Sequence, residues 1–298
     1  MKKMLFIMNP YSGKRRANKY LVEILEVFNR AGYQVTVHMT AGRGDATEVA
    51  KALGAEMNIV VCCGGDGTFN ETVAGVMKCG KEVSVGYIPA GSTNDFAASL
   101  KLPTEPLEAA QEIVEGEPVA YDAGSFCGRF FSYVASFGAF TKTSYTTPQS
   151  IKNALGHTAY VLSGISELSQ IHPEHIRLEI NGETVEDDFL FGAICNSTSV
   201  GGILTLDPKQ VDMADGKLEV LLVRSPHSLL ELTECIAAVQ SQQYNNCEMI
   251  TFRSGSEIKI TANPNMPWTL DGEREDGHGE IQVLNNHLAY RLVQRRRD

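Results

Sequence analysis

Two kinds of hydrophobic patterning divide the chain. In the first half, unbroken apolar runs at residues 4–8, 59–63 and 83–88 read as strands buried on both faces. Residues 33–39 alternate apolar and polar, as a half-buried strand does. Between these runs the apolar positions recur at helical spacing. Leu21, Ile24, Leu25 and Phe28 form one such face, stopped at Ala31-Gly32, and further helices are expected over 46–53 and 68–77. Repeated βα units predict a parallel sheet with helices on both faces.

From about Gly124 the pattern changes. Residues 130–140 are aromatic and β-prone. Ile151, Leu155, Ala159, Leu162, Ile165 and Leu168 then mark one amphipathic helix. Strands are expected at 175–180 and 184–194, flanking the hairpin dipeptide Asn181-Gly182. A strand at 217–223, a helix at 229–240 and strands at 257–261 and 280–284 follow. Asn285-Asn286 reads as a turn back into a last strand at 287–292. The fold class is therefore α/β, an N-terminal parallel βα domain over 1–123 followed by a β-rich, antiparallel sandwich-like domain over 124–286. The boundary lies near Tyr121-Asp122-Ala123-Gly124, and the C-terminal strand, about 287–298, is a candidate to rejoin the first domain.

Composition narrows the classes. The 298 residues are 43% hydrophobic and 21% charged, enough for a substantial core. A formal net charge of -10 argues against broad nucleic-acid binding, which needs a basic face. Seven scattered cysteines, without a Cys-x-x-Cys pair, fit reduced thiols. The first residues resemble a signal peptide, but their apolar run stops at Asn9-Pro10 and no small-residue cleavage site follows. No run approaches the ~20 apolar residues that span a bilayer. A cytoplasmic protein is expected.

The candidate chemistry gathers where the parallel strands end, the edge at which such sheets bind ligands. The strand at 59–63 runs into Gly64-Gly65-Asp66-Gly67-Thr68 and then a helix. Glycines, free N–H groups and a helix start suit a phosphate, with Asp66 at hand for a metal; a plain tight turn is the alternative. Lys14 follows the first strand, either charging nucleotide phosphates or opening a helix as a solvated base, and Asn9 orients that loop or touches a nucleotide. After the third apolar run come Gly91, Ser92, Thr93, Asn94 and Asp95, more polar side chains than one helix cap requires. Asp207, Asp212 and Asp215 occupy a later loop, either a hard-cation site or a polar turn. Asp271-Gly272-Glu273 places a carboxylate where Glu273 could take a proton from a hydroxyl, or it forms a hairpin turn inside a charged loop. The histidines form no triad, and there is no Gly-x-Ser-x-Gly elbow.

Together these motifs resemble the diacylglycerol kinase catalytic-domain family, in particular its soluble bacterial lipid kinases. The likeness rests on Asn9-Pro10 with Ser12-Gly13-Lys14, on residues 64–71 and 89–97, on Gly201-Gly202, on Asp215-Gly216 and on Asp271-Gly272-Glu273. The resemblance implies a kinase that uses ATP and magnesium to phosphorylate a lipid hydroxyl, diacylglycerol first among candidates. The first domain would then bind nucleotide and the second the lipid. Asn9, Lys14, Gly64, Gly65, Gly67, Thr68, Gly91, Ser92, Thr93 and Asn94 would hold the nucleotide, and Asp95 the substrate. Asp66 would serve the catalytic metal and Glu273 would be the general base. Asp212 and Asp215 would form a structural magnesium site linked to the active site through Asp122. Ser92 stands where the family more often has Thr, and Ala98 where it has a basic residue. The resemblance also implies transient contact with a membrane surface, and an exposed sheet edge is compatible with a homodimer. A small-molecule kinase such as an NAD kinase, and a catalytically silent lipid- or nucleotide-binding protein, are the alternatives.

Overall fold

The computed structural model describes residues 1–13, 17–138, 172–200, 204–226 and 228–296. Lys14, the helix expected over 151–168 and Gly201-Gly202 lie outside the described residues. The chain divides into two compact units, one of residues 1–123 with 286–298 and one of residues 124–285.

The first unit is built on five parallel strands in the order β2-β1-β3-β4-β17. These are β1 (Lys2–Met8), β2 (Tyr33–Met39), β3 (Ile59–Gly64), β4 (Ser84–Pro89) and the C-terminal part of β17 (Glu280–Gln294). The helices are α1 (Leu21–Arg30), α2 (Asp45–Leu53), α3 (Asp66–Met77), the short α4 (Asp95–Ser99) and α5 (Pro106–Glu115). Every residue of β3 is buried, because helices cover both faces of the sheet. Met4, Phe6 and Met8 pack with Phe28 of α1 and Ile113 of α5 on one face. α5 escaped the sequence reading. Its inward positions are Ala109, Ala110 and Ile113, and two alanines make a faint apolar stripe.

The second unit is antiparallel. Its elements are β5 (Glu117–Phe126), which begins in the first unit, β6 (Arg129–Phe131), β7 (Val134–Gly138), β8 (Glu174–Ile180), β9 (Glu183–Cys195), β10 (Ser199–Val200), β11 (Leu204–Thr205), β12 (Leu218–Arg224), α6 (Leu229–Ser241), β13 (Ile250–Gly255), β14 (Glu257–Thr261), β15 (Trp268–Leu270) and β16 (Glu273–Glu275). β8 shows why alternation reads as a one-sided strand. Ile176, Leu178 and Ile180 enter the core while Arg177 and Glu179 face water. Among the described residues three hairpins turn through dipeptides with positive φ at both residues: Cys127-Gly128, Asn181-Gly182 and Asp271-Gly272. That geometry matches the twist of the flanking strands.

One expected turn is absent. Residues 280–294 form a single strand, with no reversal at Asn285-Asn286. The asparagine side chains bridge backbone instead, Asn285 Nδ2 donating to the Lys217 carbonyl at 2.9 Å and Asn286 Nδ2 to the Ala123 carbonyl at 3.1 Å. Among the described residues no helix is long and apolar enough to cross a membrane.

Candidate active site

Strand register brings three turns to one edge of the parallel sheet. Met8 pairs with Cys63, Cys63 with Ile88, and Gly64 with Pro89, so the segments that follow β1, β3 and β4 emerge side by side. Backbone bonds continue past the strand ends. The Asn9 N–H donates to the Cys63 carbonyl at 2.9 Å, and the Ala90 N–H to that of Gly64 at 2.7 Å. Asn9 Nδ2 also donates to Thr68 Oγ1 at 3.1 Å, tying the first turn to the second. Glycine permits this closeness. A Cβ on Gly91 would stand 2.6 Å from the Gly65 Cα, and one on Gly13, whose φ is +49°, would stand 2.5 Å from the Ala90 carbonyl oxygen.

The middle turn ends at the N-terminus of α3. Gly65 occupies the cap position and offers no side chain to satisfy the first helical N–H groups. An uncapped helix start beside close-set glycines is an anion site in waiting. Asp66 is committed elsewhere. Its Oδ2 accepts from the Asp95 N–H at 3.0 Å and its Oδ1 from the Phe96 N–H at 3.2 Å, so it ties α3 to the first turn of α4. Burial pushes the Asp66 carboxyl up to about 6; Asp95 adds to the rise and the N–H donors oppose it.

The third turn is shaped by Asn94, whose left-handed backbone sits at φ 55° and ψ 52°. Its Oδ1 accepts from the Gly91 N–H at 2.8 Å and its Nδ2 donates to the Gly91 carbonyl at 3.2 Å. Asn94 thus shapes the loop it sits in. Ser92 and Thr93 are exposed, whereas Asp95 is buried. Asp122, fully buried in the first unit, accepts from the Leu288 N–H at 2.7 Å and pairs with His287 at 3.0 Å.

In the second unit, Asp271-Gly272 is a hairpin turn, and Glu273 follows it on β16. The Asp271 carboxylate accepts three buried backbone N–H groups, from Ser132 at 2.6 Å and from Tyr133 and Val134 at 3.0 Å each. This clamp brings residues 129–134 against the hairpin. Arg129 Nη2 consequently donates to Glu273 Oε2 at 2.9 Å while its Nη1 reaches Glu275. Sequence reasoning missed Arg129 because it lies 144 positions from Glu273.

Asp212 and Asp215 each close a local turn, accepting from the Ala214 N–H at 3.0 Å and the Lys217 N–H at 2.9 Å. Glu219 was also missed. It is buried on β12, and its Oε2 has no hydrogen-bond partner among the described residues. Burial drives its carboxyl up to about 8, Asp215 and then Asp212 adding to the rise. The readable signal was an acidic residue within the apolar run from Leu218 to Val223. Among the described residues no three His, Cys, Asp or Glu side chains form a ready metal cage. An orphaned carboxylate oxygen near two aspartates nevertheless fits a hard cation, for magnesium takes one or two carboxylates and completes its shell with water.

Comparison with known proteins agrees with this layout. Residues 3–126 match the family model of the diacylglycerol kinase catalytic domain. Residues 136–286 match that of the YegS C-terminal NAD kinase beta sandwich-like domain. A protein named diacylglycerol kinase from Bacillus subtilis (strain 168) is 32% identical over 275 residues, covering 92% of this chain and 90% of that one. Another of that name, from Staphylococcus carnosus (strain TM300), is 31% identical over 273 residues, covering 91% and 89%. The crystal structure of a diacylglycerol kinase from Bacillus anthracis str. Sterne shares the fold, with a TM-score of 0.74 at 20% identity over 98% of this chain and 97% of that one. The chain belongs to the diacylglycerol kinase family.

Proposed function

We propose that this chain transfers the γ-phosphate of ATP, with magnesium, to a lipid hydroxyl, with diacylglycerol as acceptor and phosphatidic acid as product. The observation that carries the reading is the uncapped N-terminus of α3, set among three glycine turns at the carboxyl edge of a parallel sheet. Bound ATP supplies the phosphoryl group and magnesium offsets its charge.

The chain's part is positioning. The N–H groups around Gly64, Gly65, Gly67 and Thr68 receive phosphate oxygens, and Gly91 with the exposed Ser92 and Thr93 flanks them. Asn9 and Asn94 hold these turns in shape. Lys14 is proposed to add positive charge, and Asp95 to face the acceptor. Asp66 keeps lone pairs beyond its backbone bonds, and these serve the metal. Glu273 accepts the proton of the attacking hydroxyl. Asp212, Asp215 and Glu219 would hold a second, structural magnesium, to which Asp122 is linked by the family resemblance alone. A lipid acceptor requires contact with a membrane surface, and we propose peripheral rather than spanning association.

The test is transfer of labelled γ-phosphate to diacylglycerol, phosphatidylglycerol, a long-chain base and a polyprenol in mixed micelles, with NAD and a lipid-free sample as controls. Label in diacylglycerol that disappears with EDTA supports the reading. Label in NAD alone would replace it with a nicotinamide-nucleotide kinase, the rival that shares the second domain's sandwich.

A further inference from the structure

Glu273 does not stand alone on its strand. Glu275 lies two residues on, and strand alternation turns both carboxylates to the same face of β16. Two like charges this close repel, and the guanidinium of Arg129 sits between them. Nη2 donates to Glu273 Oε2 at 2.9 Å and Nη1 donates to Glu275 Oε2. The Glu275 side chain is the more enclosed, 20% exposed against 33% for Glu273.

Arg129 is placed by devices that leave it little freedom. The Cys127-Gly128 turn fixes it at the start of β6, opposite Phe126. Three residues on, Asp271 clamps the backbone of Ser132, Tyr133 and Val134. Asp271 also opens the hairpin that carries Glu273. One buried carboxylate therefore registers the arginine and the glutamate against each other.

We propose that Arg129 is a positioning residue for Glu273, and that Glu275 anchors Arg129 while Glu273 exchanges its proton. The assignment rests on the reading of Glu273 as general base. An isolated ion pair of this exposure is worth little to stability. A fork to two carboxylates does something a single pair does not. It aims the Glu273 carboxylate before the acceptor hydroxyl arrives. When Glu273 takes the proton, Arg129 keeps Glu275, so no unpaired cation is left behind. The acceptor oxygen bonds the γ-phosphorus of ATP as the bond from that phosphorus to the β-bridging oxygen breaks and ADP leaves; the hydroxyl proton passes to Glu273, and Arg129 neither gains nor loses a proton. Leu270 is the cross-strand neighbour of Glu273, the exposed Arg274 points to the opposite face, and the Asp271 carboxylate is taken up by backbone. The Tyr133 hydroxyl approaches Gly272, 3.8 Å from where a Cβ would stand.

The experiment is the separate measurement of kcat and of KM for ATP with diacylglycerol in mixed micelles and magnesium, for parent, Arg129→Ala, Arg129→Lys, Glu275→Gln and Glu273→Gln. Arg129→Ala is expected to cut kcat by roughly 10- to 100-fold with little change in KM for ATP. Arg129→Lys should recover only part of kcat, since an ammonium keeps the charge but cannot fork to two carboxylates. Glu275→Gln should lower kcat by a smaller factor, again with little change in KM for ATP, because Arg129 loses its anchor. Urea unfolding midpoints establish that each variant is folded; if Arg129→Ala is not, the Lys and Gln variants carry the test. Parent kcat in folded Arg129→Ala, or a kcat in Arg129→Lys no higher than in Arg129→Ala, overturns the assignment. Parent turnover in Glu273→Gln would instead remove the general base itself.

Discussion

The dipeptide Asp-Gly occurs at both centres of this molecule and does opposite things. At Asp66-Gly67 it starts a helix, and at Asp271-Gly272 it reverses a hairpin. Each aspartate accepts backbone N–H groups from a segment remote in sequence, two for Asp66 and three for Asp271. The surroundings make the difference. Asp66 opens α3, whose own first N–H groups have no side-chain cap, so the turn has donors left for an anion. Asp271 sits between strands that satisfy one another, and its carboxylate is spent on three N–H groups. The same two residues therefore build a ligand cradle in one unit and a structural clamp in the other.

The largest effect that would sharpen this contrast is at Asp271. Asp271→Ala leaves three buried N–H groups unmet, and we expect a loss of about 3–5 kcal/mol, read as a lower urea midpoint. A change under 1 kcal/mol would remove Asp271 as the clamp. Gly91→Ala comes next. Its Cβ would sit 2.6 Å from the Gly65 Cα, so the turns must part. About 1–3 kcal/mol of stability and most nucleotide affinity should go with them, read by unfolding and by calorimetric titration with ATP. Unchanged ATP affinity would place the nucleotide elsewhere.

A smaller, pH-dependent effect separates Asp66 from its asparagine variant. The folded-state value of about 6 lies above the ordinary 3.8, so the folded protein holds this proton more tightly than the unfolded chain. The burden of a charged Asp66 is complete above pH 6 and is relieved as pH falls through 6 toward 3.8. In metal-free, nucleotide-free protein, parent stability relative to Asp66→Asn should therefore rise by about 1 kcal/mol between pH 7.5 and 5. A constant difference across that range would contradict the buried, charge-sensitive placement of Asp66. The smallest expected shift concerns Glu219. Magnesium should raise the parent's melting temperature by a few degrees and that of Glu219→Gln by less, through linkage of binding to folding. Equal shifts would remove Glu219 from cation binding.

How much of this was legible depends on where the information lay. Unbroken apolar runs gave the parallel strands almost residue for residue, because a strand buried on both faces leaves no other pattern. Asn181-Gly182 gave its hairpin because the turn needs two residues of positive φ. Asn285-Asn286 misled for the complementary reason. Polar residues in sequence look like a turn, yet these two donate side-chain bonds to backbone within an extended strand. β13 went unread because its alternation lasts only from Ile250 to Arg253 before Ser254-Gly255, too short to stand out. In the site, the glycine turns were visible as chemistry, but the work of Asp66, Asn94 and Asp271 was not. Their partners are backbone groups, which leave no trace in residue identity. The fork from Arg129 to Glu273 and Glu275 was invisible for a related reason, since two hairpins and a clamp bring it together.

The most direct test of the contrast is amide hydrogen exchange with and without magnesium ATP, resolved at residues 65–68 and 132–134. N–H groups that receive phosphate should slow sharply at 65–68 on adding nucleotide, while those already held by Asp271 at 132–134 should be protected from the outset and unchanged. Bound ATP with no slowing at 65–68 would contradict the account, and the helix start at Asp66 would then be as structural as the hairpin at Asp271.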